Sequence, residues 1–101
     1  MTKKELPPMN RFELLEAAKE TVADRGEAYG SIWDNHERIA IIWTALIGIQ
    51  IEPEHVAMMM AGVKLARLSA TPDHQDSWVD LAGYAATGSE CLYVRKQNAN
   101  D

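Results

Sequence analysis

The sequence predicts an all-α protein, a bundle of about four helices assembled as a homo-oligomer. Three observations carry this prediction. Apolar residues recur at three- and four-residue steps through most of the chain. Turn formers interrupt that pattern at residues 25–35, 48–53 and 69–75, which leaves helices joined by short connections. The single strand-like run, IGIQI at residues 47–51, is too short to stand against them.

The elements follow in order. Residues 1–9 are polar, contain Pro7-Pro8, and read as a flexible arm. Asn10 opens the first helix, with Glu13 at capping-box spacing. Phe12, Leu15, Ala18 and Val22 make its stripe, and Gly26 is expected to stop it. Residues 25–35, RGEAYGSIWDN, read as a loop packed over the bundle end, with Tyr29 and Trp33 as lids. Asp34 caps a second helix from Asn35 to Ile47, whose apolar face is Ile39, Ile42, Trp43, Leu46 and Ile47. Gly48 ends it. Pro53 starts a third helix running to Leu68, apolar on nearly every side and therefore central. A fourth begins near Asp73 or Asp76 and ends at Lys96, with Trp78, Leu81, Ala82, Ala85 and Leu92 inward. Residues 10–96 form the single helical domain, and 97–101 a flexible tail. The third helix has more apolar faces than three partners can cover. A second subunit, with Met58 to Met60 as interface, relieves this; a crowded monomer core is the alternative.

The totals exclude several function classes. A chain of 101 residues is one domain. Its net charge of −5 argues against a broad nucleic-acid footprint, but not against a small phosphate-bearing ligand held by a few cations. The lone Cys91 excludes an internal disulfide and fits a reducing, cytoplasmic setting. No run is long enough for a membrane span, and MTKKELPP lacks the apolar stretch of a signal peptide.

Chemistry concentrates at residues 58–86. Lys64 and Arg67 share a face of an apolar helix. Asp76, Asp80 and Tyr84 follow at four-residue steps on the next helix. Two carboxylates on one face repel unless a cation sits between them, and Mg²⁺ is the natural candidate. The plainer reading has Asp76 as a helix cap and Asp80 in a salt bridge with Arg67. Asp34 and Glu37 form a second acidic pair, which helix-start chemistry also explains. His36, His55 and His74 lack the spacing of a zinc site, and His36 reads as a surface residue.

The blocks RGEAYGSIWDNHERIA, MMMAGVKLARL and DSWVDLAGYAA, in that order over roughly residues 20–90, resemble a family of small phage- and prophage-encoded proteins, a domain of unknown function. The resemblance implies a phage or prophage origin, so the cytoplasm that the lone cysteine fits is expected to be that of the host cell. More distantly, a lysine–arginine helix leading to D-x-x-x-D-x-x-x-Y is similar to phage nucleotide-modification-associated domains and to MazG-like helical nucleotide pyrophosphohydrolases. That similarity implies an oligomer whose facing acidic helices bind Mg²⁺, with Asp34 and Glu37 standing for the first acidic pair and Asp76 and Asp80 for the second. The chain departs from the MazG pattern of two glutamates three apart, then a glutamate and an aspartate three apart.

The function expected is that of a phage accessory protein that binds a nucleotide or nucleotide-derived phosphate through Mg²⁺ and, if MazG-like, hydrolyses it. Asp34, Glu37, Asp76 and Asp80 would hold metal, Lys64 and Arg67 the phosphate oxygens. Tyr29, Trp33 and Tyr84 are the candidates for stacking on a base. Two other classes compete: a non-enzymatic protein that binds a host protein, and a sponge that sequesters a nucleotide signal.

Overall fold

The computed structural model describes residues 5–29 and 31–99, and the side chains of all of these except 27–29. The arm residues 1–4 and tail residues 100 and 101 lie outside the described residues.

Asn10 does open the first helix. Its Oδ1 accepts the N–H groups of Phe12 at 3.0 Å and Glu13 at 2.9 Å, and Glu13 Oε1 accepts the Asn10 N–H at 3.0 Å. This reciprocal box satisfies donors that the helix itself cannot. Helix α1 then runs Arg11–Tyr29, straight through Gly26. The expected loop at 25–35 shrinks to the short connection before α2, Ile32–Ile47. An internal glycine costs a helix about 1 kcal/mol, less than an unfinished turn of backbone hydrogen bonds. The cap of α2 is Ser31, whose Oγ accepts the Asp34 N–H at 3.3 Å. Asp34 is therefore the third helical residue and not the cap.

Gly48, at φ 83°, ends α2 in the left-handed region and returns its N–H to the Thr44 carbonyl at 2.8 Å. Thr44 also clamps the turn, its Oγ1 accepting the Ile51 N–H at 2.9 Å. Helix α3 runs Pro53–Ala70 and α4 runs Gln75–Ala99. The Glu52 N–H, left over at the start of α3, donates to His55 Nδ1 at 3.0 Å. Between α3 and α4, the Trp78 indole donates to the Pro72 carbonyl at 2.9 Å and pins the turn. Among the described residues there is no strand.

Helix α3 packs most extensively on α4, α1 also lies against α4, and α2 leans chiefly on α3. Apart from Leu68, the buried apolar interior is built from small residues: Ala18, Ala40, Ala57, Val56, Val79, Gly83 and Cys91, with Ser77 beside them. The expected stripes do not all point there. Phe12 and Leu15 of α1 are exposed, as are Ile42, Leu46 and Ile47 of α2. On α4 the buried positions are Ser77, Val79, Asp80, Gly83, Thr87 and Cys91, mostly polar or small residues. The predicted stripe of Trp78, Leu81, Ala82, Ala85 and Leu92 lines an open groove instead, with Leu14 and Met58. Helix α3 is not buried all round: Met58, Met59, Val63 and Leu65 face outward. No helix is long and apolar enough to cross a membrane among the described residues.

Candidate functional site

Asp80 lies on the inner face of α4 and is 6% exposed. A carboxylate withdrawn from water needs partners, and two cations supply them. Lys64 Nζ of α3 donates to Oδ2 at 2.9 Å, and Arg25 Nη2 of α1 donates to Oδ1 at 3.2 Å. Three helices are thus tied at one carboxylate. The Lys64 side chain is 14% exposed, that of Arg25 38%, so Arg25 keeps one edge toward solvent. Its guanidinium also lies 5.3 Å from the ring centroid of Tyr84. Tyr84 follows Asp80 by one turn, so α4 presents carboxylate and ring to the same cation. Two cations and one carboxylate leave a surplus of one positive charge.

Arg25 and Tyr84 border a cavity of about 330 Å³ to which all four helices contribute. Its polar lining comprises Arg25, Ser31, Asn35, His36, Tyr84 and Thr87, set against an apolar wall that includes Ile39, Val56 and Met60. Among the described residues, no carboxylate lines it. His36 is buried. Its Nδ1 sits 3.0 Å from the Ile32 carbonyl, which accepts only, so Nδ1 carries the proton and Nε2 is left as an acceptor. Burial holds its pKa below the ordinary value, with the hydrogen bond to Ile32 opposing more weakly.

A second ion pair stands apart from this site. Arg95 of α4 grips Glu54 of α3, Nε lying 3.0 Å from Oε2. Arg95 holds the Glu54 carboxyl below its usual range. Cys91 is buried, and desolvation pushes its thiol up to about 11.

Of the residues the sequence singled out, Lys64, Asp80 and Tyr84 meet. Asp80 does not pair with Arg67, as the plainer reading had it; Arg67 is exposed in the last turn of α3. Asp76 lies inside the first turn of α4 and not before it, at a cleft shared with Glu5, Asp73 and His74. Asp34 and Glu37 are exposed on α2. Among the described residues, no three His, Cys, Asp or Glu gather where a metal ion could be held. Trp33 is half-buried in a depression that adjoins the cavity, with Ala86, Glu90 and Val94. The side chain of Tyr29 lies outside the described residues. Sequence reasoning missed Arg25, Asn35, His36 and Thr87. Continuing the first helix one turn past Val22 would have placed Arg25 on the inner face beside it.

Fold and site together define a small all-α domain with a charge-paired centre and a polar-lipped cavity. The chain belongs to the family described as Domain of unknown function (DUF6378), which it matches over residues 13–92. It is similar to the Gene 55 protein of Mycobacterium phage L5, 45% identical over 76 residues, covering 73% of this chain and 49% of that protein. The Gene 55 protein of Mycobacterium phage D29 is 34% identical over 77 residues, covering 76% of this chain and 51% of that one. The chain spans about half the length of these curated relatives. No solved structure matches it. This is a phage-protein family of unknown function.

Proposed function

We propose that the chain binds a small phosphate-bearing ligand, a nucleotide or nucleotide-derived phosphate, in the cavity beside Arg25 that the four helices enclose. One observation carries the reading: in a protein of net charge −5, the cation surplus around Asp80 opens through Arg25 into a cavity that, among the described residues, no carboxylate lines. Arg25 is positioned by Asp80 and Tyr84 before any ligand arrives, so its bidentate fork loses little freedom on binding. Asn35, Thr87 and Ser31 add neutral hydrogen-bonding groups, and the apolar wall suits the face of a base. Lys64 acts behind Arg25, neutralising Asp80 so that the guanidinium is not spent on it. Mg²⁺ enters on the phosphates of the ligand, since Asp80, the deepest of the four candidate carboxylates, is held by Lys64 and Arg25.

The test is a thermal melt with inorganic phosphate, pyrophosphate and a nucleoside mono- and triphosphate panel, each with and without Mg²⁺. A bound ligand raises the melting point as RT ln(1 + [L]/Kd). Arg25→Gln leaves Asp80 paired with Lys64, so the fold survives, and affinity should fall by about tenfold for one lost charge-assisted contact. A wild-type melting point unmoved across the panel overturns the reading.

A further inference from the structure

We propose that His36 and Thr87 read the hydrogen-bonding edge of a nucleobase, so that the ligand beside Arg25 is a nucleoside monophosphate whose base carries an N–H donor. The proposal rests on the phosphate-binding reading of the cavity and deepens it. His36 is 9% exposed and Thr87 8%, and both border the cavity. The His36 ring spends Nδ1 on the Ile32 carbonyl. Among the described residues, Nε2 has no hydrogen-bond partner, and neither has the Thr87 hydroxyl. Thr21, by contrast, returns its hydroxyl to the Ala17 carbonyl one turn back, at 3.0 Å. Polar groups withdrawn this far from water are normally paired, because an unmade hydrogen bond is costly there. Among the described residues, no side-chain nitrogen or oxygen is both sealed off and unpaired. Nε2 and the hydroxyl therefore keep contact with open space, and the space that borders both is the cavity.

The chemistry of the pair selects the uncharged end of the ligand. A neutral imidazole nitrogen accepts and cannot donate. Burial lowers the His36 pKa and so favours that neutral form. Phosphate oxygens chiefly accept as well, so Nε2 recognises an N–H or O–H elsewhere on the ligand. The Thr87 hydroxyl donates or accepts. Together they match a donor beside an acceptor, the pattern that N6 and N7 of adenine present. Ile39 stands three residues from His36 on the same face of α2. With Val56 and Met60 it forms an apolar wall against which the flat face of a base fits, its edge turned to His36. Arg25 is the one cation lining the cavity among the described residues, a match for one phosphate and not for a chain of three. The volume of about 330 Å³ stands near the lower end of the roughly 300–1,000 Å³ of small-molecule sites, which suits one nucleotide.

Calorimetric titration of the full chain separates base from phosphate. The probes are the four common nucleoside monophosphates, a nucleoside triphosphate with Mg²⁺, ribose 5-phosphate, and purine riboside monophosphate, whose base has no N–H. The best of the four should bind about tenfold more tightly than the last two. His36→Phe keeps a ring and removes both nitrogens. It should erase that advantage and leave ribose 5-phosphate binding unchanged. Thr87→Val should act in the same direction, and carries the comparison alone if circular dichroism shows that His36→Phe loses helix. Ribose 5-phosphate or purine riboside monophosphate binding as tightly as the best nucleotide overturns the proposal and leaves the phosphate site standing. So does a triphosphate that binds more tightly than its monophosphate, or a folded variant that weakens every ligand alike. If no phosphate compound binds, the phosphate reading fails and this proposal with it.

Discussion

At the centre of the bundle a carboxylate and two cations are withdrawn from water; on the α2–α3 flank a row of large aliphatic side chains stands in it. The two regions use opposite residues for the same helix positions. Helix α4 turns Asp80, Thr87 and Cys91 inward and leaves Leu92 and Trp78 outside. Helix α2 turns Ala40 and His36 inward and leaves Ile42 and Leu46 outside. The difference teaches that helix spacing here is set by small residues. Gly88 of α4 approaches Ala57 of α3 so closely that an added Cβ would lie 3.2 Å from the alanine methyl. Helices that close leave no room for bulky chains between them, so the bulky chains go out and the interior is held by an ion pair and by tight contact.

Three sets of changes break or sharpen that contrast. The largest effect belongs to Asp80→Asn. It keeps the shape and leaves two cations facing each other, one of them nearly buried, and should cost about 3 kcal/mol, a large share of the roughly 5–15 kcal/mol available to a small domain. Adding Lys64→Met should recover part of the loss, since burying neither charge is cheaper than burying one. Urea unfolding of the single and double variants measures both. An Asp80→Asn variant as stable as the wild type would mean the centre is not held by charge.

Next come two glycines of α4, one turn and a residue apart. Gly88→Leu overpacks the α3 contact and should lose about 1–3 kcal/mol. At Gly83 the added methyl would meet Val22 at 3.6 Å, an ordinary contact, so Gly83→Ala should gain about 0.5–1 kcal/mol from helix propensity. Opposite signs in the same denaturation series are the expected result; equal signs would show that the helices slide to accommodate either change.

The smallest effect is a pH dependence. The folded pKa of His36 lies below its unfolded value of 6.5. Above that value both states are neutral and stability is unaffected. As pH falls through it, the unfolded chain takes up a proton that the fold refuses, so stability declines. Comparing wild type with His36→Gln between pH 7.5 and about 5.5 isolates this contribution, because the Glu54–Arg95 pair is lost only at lower pH, where Glu54 protonates. A wild-type curve as flat as the variant's would place His36 in solvent.

What the sequence by itself determined is the local part. The Asn10 box, the Gly48 stop, Pro53 at the head of α3 and the absence of strand period all depend on residues within a turn of one another, and each stands in the structure. Three of the four helices begin close to where their signals lie. The pairing of Lys64 with Asp80 was half legible, because adjacent helices joined by a short turn must face each other. Tertiary structure decided the rest. Arg25 reaches Asp80 across 55 positions of sequence, and only the lie of α1 on α4 chooses it over Arg67, which is nearer in the chain. Which face of α4 turns inward was decided by how closely helices can approach, a property of pairs of helices that no single periodicity contains. His36 is buried for the same reason: α2 leans on α3 through its small residues, and Ile42 and Ile47 of its expected apolar face are left outside.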